Sequence, residues 1–316
     1  MTLHCMAFTR AIDRASQLLP SHSSVFYHVR ACFLTPSTAS LLFNRNKISS
    51  AVCGSLYTDN DDTGFSNPRV VPQSTINAMI EEIYGELAVQ SIQGEGGAAR
   101  VRQHANPLKK NLMGPYYPPV WAMVFTNPKL PLSVDIGSGS GRFLMLLAKR
   151  NSGSSNFLGL DVRHKLVERS NAWAEQLQLK NMHFITANAT IALDSLLATY
   201  PGKLTFVSIL CPDPQFKTRH YKRRIVQRPL VNAIMKYLAV GGKIFLESDV
   251  EEVVLDMKRH FKEHLGDSLV LVKKHESTSI EEKEWYPENP TGVPTEREVA
   301  VLGRGLPMFR LLYERV

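Results

Sequence analysis

The chain has 316 residues, 44% hydrophobic and 21% charged, with 37 basic against 29 acidic side chains and a net charge of +8. That composition excludes collagen, a continuous coiled coil and a wholly disordered chain, and the length corresponds to about two domains. No apolar run approaches the roughly 18 residues of a membrane-spanning helix, so no helical span and no membrane partner is expected.

Residues 1–58 stand apart. They contain nine serines, five bases (Arg10, Arg14, Arg30, Arg45, Lys47) and one acid, Asp13, with no sustained apolar periodicity. A hydroxyl-rich, arginine-bearing, acid-poor leader has the composition of an organelle transit peptide. Its uncharged first nine residues and its excess of serine over arginine point to the chloroplast, with the mitochondrion as the alternative and a native tail as the bland one. Cys5, Cys32 and Cys53 lie in this leader, which leaves Cys211 alone in the remainder. One thiol builds neither an internal disulfide nor a cysteine zinc site, as expected of a reducing compartment.

Residues 59–73 form a polar linker. Ser74 is placed to cap a helix over 75–91, with Ile76, Met79, Ile80, Ile83 and Leu87 on one face. The glycine cluster at 93–97 lacks the Gly-Lys-Ser/Thr of a phosphate loop and reads as a flexible loop. Six prolines between 106 and 131 predict an irregular arm. From 132 onward the pattern alternates. Strands are expected at 132–136, 157–160, 183–186, 204–210 and 243–247. The helices between and after them fall at 142–150, 164–179, 191–200, a basic helix reaching about 238, and 250–265. Strands at 268–273 and 308–314 follow, with a Glu- and Pro-rich loop and no helix between them. This predicts an α/β fold: a doubly wound, mostly parallel seven-stranded sheet with an antiparallel edge and an N-terminal extension. The domains are then a 1–58 leader, a 59–131 linker, helix and arm, and a 132–316 catalytic domain.

Three places carry chemistry. Asp135-Ile136-Gly137-Ser138-Gly139-Ser140-Gly141-Arg142 ends the first strand and opens a helix. Glycines there let a ligand approach the backbone. Arg142 occupies the position of the third dinucleotide glycine, which favours S-adenosylmethionine over a nicotinamide cofactor. Asp161, at the end of the next strand, can accept hydrogen bonds from a ribose diol, or it can cap a helix. Asn188 can read an adenine edge, or it can shape a turn. The third place is Cys211-Pro212-Asp213-Pro214-Gln215-Phe216-Lys217, continuing through Arg219, His220, Lys222, Arg223, Arg224 and Arg228, with no acid between 214 and 246. Two prolines hold one carboxylate in a rigid loop, and the basic run that follows suits phosphates. His260-Phe261-Lys262-Glu263-His264 matches a zinc-binding string, but two surface histidines one turn apart is the better reading, and no metal is expected.

These motifs, with Glu247-Ser248-Asp249 and the tail Thr295-x-x-Glu298…Gly303, resemble the tRNA (guanine-N7)-methyltransferases of bacterial and organellar type, from about residue 100 to 315. The resemblance implies a class I methyltransferase fold that moves a methyl group from S-adenosylmethionine to N7 of guanine 46 in the tRNA variable loop, without an obligatory partner subunit. It implies that Asp135, Gly137, Gly139, Gly141, Asp161, Asn188 and Asp213 hold the donor, with Asp213 also catalytic. Lys217, Arg219, Arg223, Arg224, Asp249, Thr295 and Glu298 then face the tRNA. Gln215-Phe216 replaces the family's usual Trp after Pro-Asp-Pro, and Arg297 replaces an aromatic within Thr-x-x-Glu. A non-catalytic RNA-binding homologue and a nicotinamide-dependent dehydrogenase are the alternatives.

Overall fold

The chain enters the core through α1 (Gln73–Tyr84), which tightens into a single 3-10 turn at Gly85–Leu87. It then follows an irregular arm whose regular pieces are a 3-10 turn at Lys110–Leu112 and the four-residue α2 (Trp121–Val124). Then come β1 (Leu132–Ile136), α3 (Arg142–Arg150), β2 (Asn156–Asp161), α4 (His164–Gln176), β3 (Met182–Thr186), α5 (Ala189–Thr199) and β4 (Leu204–Leu210). The chain closes with α6 (Arg228–Tyr237), β5 (Leu238–Ser248), α7 (Glu251–Leu265), β6 (Leu269–Leu271), α8 (Glu296–Leu302) and β7 (Phe309–Arg315). This computed structural model describes residues 71–88, 105–265, 268–272 and 285–316, which fall in one compact unit spanning 55–316. The leader, most of the polar linker, the glycine cluster at 93–97 and the Glu-rich loop at 273–284 lie outside the described residues, as do the first three cysteines.

One seven-stranded sheet runs in the order β3-β2-β1-β4-β5-β7-β6. The pairings from β3 to β5 are parallel, and β7 is antiparallel to both β5 and β6. β1 and β2 are buried at every position, as central parallel strands covered on both faces must be. One face carries Trp121, Phe125 and Tyr200 together with the apolar sides of α5, α6 and α7. The other packs α3 and α4 with Tyr84, Leu87, Phe184 and Val293. The arm is fastened to the first face. Trp121 stacks on Phe125 at 5.8 Å and meets Tyr200 edge-on at 5.2 Å, while the Tyr200 hydroxyl donates to the Leu130 carbonyl at 2.8 Å.

The expected architecture is therefore present, with local corrections. α1 begins before Ser74, which lies inside its first turn; Pro72, at φ −58°, precedes the helix and no side chain caps it. The helix stops at Tyr84, short of 91. The basic segment is not one helix. A 3-10 stretch covers Thr218–Arg223, Gln227 is extended at φ −132°, and α6 restarts with Pro229 in its first turn, where the missing N–H costs nothing. The last two strands do have a helix between them, α8. Its signal was the Thr295-x-x-Glu298 capping box, which sequence analysis assigned to substrate instead.

Candidate active site

The site lies where the carboxyl ends of β1, β2, β3, β4 and β5 meet. The glycine turn between β1 and α3 holds Gly137, Gly139 and Gly141 at φ of 87°, 60° and 79°, conformations that exclude most side chains. Their roles differ. A side chain at Gly137 would meet nothing within 4 Å, so the backbone there is open to a ligand. One at Gly141 would strike Phe184 at 2.7 Å and Ser170 at 2.8 Å. Gly141 therefore has a packing reason of its own, close approach to β3 and α4, beside its expected place among donor contacts.

Asp135 is buried on β1 and accepts a hydrogen bond from the Ser208 hydroxyl of β4 at 2.7 Å. Burial pushes its carboxyl up to about 7, against the pull of the Ser208 hydrogen bond and with the charge of Asp161 adding to the rise. Asp161 is buried as well. Its Oδ1 accepts from the Arg163 backbone N–H and Nε, both at 2.8 Å, and its Oδ2 from the Gly139 N–H at 3.0 Å and from Arg163 Nη2 at 2.6 Å. These four bonds take the roughly four acceptor positions of a carboxylate. Asp161 does not cap α4, and Arg163 occupies the oxygens expected to meet a ribose. The hydrogen bond from Asp161 raises the Arg163 pKa, opposed by burial, with smaller contributions from the charges of Asp161 and Asp213.

Asn188 caps α5 by accepting from the Thr190 N–H at 3.1 Å and donates to the Pro107 carbonyl of the arm at 3.2 Å. Beside it the arm roofs a cavity of about 50 Å³ between Leu112, Tyr116, Thr186 and Ile191. Turn-shaping is thus Asn188's visible work, and the cavity adjoins it.

The Pro212–Pro214 loop leaves β4 through Cys211 at φ 46°, and Gln215 is also left-handed at φ 46°. These two bends expose Asp213. Gln215 Nε2 donates to Asp213 Oδ2 at 2.7 Å, and Phe216 is turned out, 64% exposed. Lys217 and Arg219 are exposed in the following stretch and Arg223 is half-buried. Arg224 is different. Its Nε donates to the Pro214 carbonyl at 3.1 Å, its Nη1 pairs with Asp256 of α7 at 2.9 Å, and its guanidinium covers the Tyr221 ring at 3.8 Å. It braces the Asp213 loop against α7 and leaves the basic strip that sequence analysis placed it in.

The last group comes from β5 and α8. Asp249 pairs with Arg297. Thr295 Oγ1 accepts from the Glu298 N–H at 3.0 Å and Glu298 Oε2 accepts from the Thr295 N–H at 3.3 Å, a reciprocal capping box. Glu298 is buried and also accepts from Arg310 at 2.6 Å and Asn289 at 2.7 Å. Arg310 bridges it to buried Glu247 at 2.7 Å, whose carboxyl is raised first by burial and next by Glu298, against Arg310. Thr295 and Glu298 are thus internal braces rather than exposed contacts. Sequence reasoning missed Arg163, Glu296 and Arg310; a basic residue two after a strand-end Asp is the one hint that could have flagged Arg163. Among the described residues no cluster of histidine, cysteine or carboxylate side chains could hold a metal. His264's side chain lies outside the described residues.

A cleft that joins a glycine turn, a recessed carboxylate pair and an exposed Asp213 beside cations can hold a nucleoside-bearing ligand next to an anionic polymer. The family model described as "Putative methyltransferase" matches residues 129–311. The tRNA (guanine-N(7)-)-methyltransferase of Synechococcus sp. strain JA-3-3Ab is 43% identical over 227 residues, covering 70% of this chain and 88% of that protein. The enzyme of the same description from Trichormus variabilis is 44% identical over 218 residues, covering 69% and 96%. A third, from Nostoc sp., is 43% identical over 217 residues, covering 68% and 94%.

Proposed function

Because the chain belongs to the tRNA (guanine-N7)-methyltransferase family, we propose that it methylates N7 of guanine in tRNA, at guanine 46 of the variable loop, using S-adenosylmethionine. The observation that carries the reading is Asp213: an exposed carboxylate fixed between prolines at the end of β4, with Lys217 and Arg219 directly after it.

The residues present fit the donor. Gly137 offers open backbone, a small cavity adjoins Asn188, and Asp161 would meet a ribose by exchanging its bonds to Arg163. Buried Arg142 stands where a dinucleotide fingerprint needs glycine, which argues against the nicotinamide alternative. When bound, the donor supplies a methyl group on an electrophilic sulfonium.

Guanine N7 is an unprotonated acceptor, so no residue has to remove a proton from it before attack. The protein's work is positioning and charge. Asp213 orients guanine by accepting from its N–H groups and stabilises the positive charge that develops on the ring. Gln215 holds the Asp213 carboxylate, and Arg224 holds the loop. Lys217 and Arg219 supply phosphate contacts, which position the RNA without reading its sequence. Phe216 offers a face for an unstacked base.

We further propose that residues 1–58 direct the chain to the chloroplast. Fused to a fluorescent reporter they deliver it to plastids; a cytosolic reporter overturns the localisation and leaves the enzyme reading intact. The reaction is tested with labelled donor and two tRNA transcripts that differ only at guanine 46. Label on the first and none on its adenine variant supports the reading, and equal labelling refutes the position.

A further inference from the structure

Helix α1, residues 73–84, precedes the stretch matched by the family model, which begins at 129, yet it lies against α8 from end to end. Gln73 Oε1 accepts from Arg304 Nη2 at 2.7 Å just beyond the α8 C-terminus. Ile76 approaches Gly303 so closely that a side-chain carbon there would stand 2.7 Å from its Cδ1. At the other end the buried Tyr84 hydroxyl donates to the Pro294 carbonyl at 2.6 Å, directly before the Thr295 cap.

Between these contacts lies one buried guanidinium. Arg142 opens α3 at the end of the glycine turn. Glu81 of α1 grips it with both oxygens, at 3.2 Å to Nη1 and 3.0 Å to Nη2. The same Nη1 donates to Glu296 Oε1 of α8 at 3.0 Å, and Glu296 Oε2 accepts from the Ser140 hydroxyl in the glycine turn at 2.5 Å. The Tyr84 ring faces the guanidinium at 4.8 Å. A two-oxygen grip fixes the plane of a guanidinium as well as its position, so Glu81 determines where Arg142 presents Nη1 to Glu296.

We propose that Arg142, oriented by Glu81, is a positioning residue that sets α8 against the glycine turn, and that α1 is thereby part of the catalytic apparatus. α8 carries Arg297, the partner of Asp249, and Glu298, the partner of Arg310. Its placement therefore aligns the guanine side with the donor side. The proposal rests on the methyl-transfer reading above.

The test is a double-mutant cycle in the full chain with Glu81→Gln and Glu296→Gln. Both side chains are partly exposed, 35% each, and glutamine keeps their shape. Each single variant should lower kcat/KM for tRNA about tenfold at an unchanged melting temperature. The double variant should fall no further than the worse single, because both act through one guanidinium. Additive losses, or losses that track a falling melting temperature, would overturn the proposal. S-adenosylhomocysteine binding by calorimetry separates it from the parent reading. A wild-type chain that binds this ligand but methylates no tRNA refutes the proposed function. The same non-additive pattern in that affinity then supports the clamp, and its absence overturns it.

Discussion

On the donor side of the cleft, Asp135 and Asp161 are almost wholly buried and are held by Ser208, Gly139 and Arg163. On the side proposed for guanine, Asp213, Lys217 and Arg219 stand in solvent, while the buried charges Glu298 and Arg310 are satisfied internally by each other and by Glu247, Asn289 and Thr295. The side proposed for the donor is thus built of groups that are recessed and already hydrogen-bonded, and the side proposed for guanine of exposed groups mounted on braces. On the proposed reading, protonation and partner exchange set affinity on the first side, while the rigidity of the mount sets rate and the surface cations set RNA binding on the second.

The sharpest break between the two sides is Asp213→Ala. It should lower methyl transfer on the order of 100-fold or more, while tRNA affinity by filter binding changes little. Turnover like wild type would reduce Asp213 to a turn residue. Arg224→Ala comes next. With the loop no longer tied to α7, turnover at saturating tRNA should drop about tenfold through misplacement of Asp213, whereas the salt dependence of tRNA binding should stay as in wild type. A smaller salt slope would return Arg224 to the phosphate-binding strip.

The donor side should answer to pH. A carboxyl raised to about 7 in the folded state favours its protonated form there. Its contribution to stability is present below the unfolded value of about 3.9 and is lost as pH rises through about 7. A cationic donor favours the ionised form, so donor affinity should climb several-fold, roughly, between pH 6 and 8. Calorimetry at the two pH values measures this. Asp135→Asn should flatten the dependence, and an equal climb in that variant would assign it to another group. The smallest effect belongs to the surface cations. Lys217→Ala and Arg219→Ala should each reduce the salt slope of tRNA binding by about one unit with donor affinity unchanged. Slopes that do not move would send the RNA interface elsewhere.

The sheet was legible because short stretches rich in Leu, Val, Ile and Phe are bounded by Pro and Gly turn signals and alternate with helical patterns, and 132–136 and 204–210 match β1 and β4 residue for residue. The glycine turn was legible as a turn, yet sequence could not separate Gly137, open to a ligand, from Gly141, pressed against Phe184, since that difference lies in what packs nearby. The same limit governs the charges. Arg223 and Arg224 are adjacent in a basic run, and it is the tertiary approach of Asp256, with the local Tyr221 ring, that removes Arg224 from the strip. Thr295 and Glu298 carry two meanings in sequence, a capping box and a substrate motif, and the buried hydrogen bonds favour the first. The Arg142 clamp was invisible because its carboxylates, at 81 and 296, lie far apart along the chain.

The most direct measurement is nucleoside analysis of tRNA after incubation of the full chain with methyl-labelled S-adenosylmethionine. Label is expected in 7-methylguanosine with the wild-type chain, with a loss of about 100-fold in Asp213→Ala. Label in any other nucleoside, or none in tRNA while the donor still binds, would contradict the proposed function.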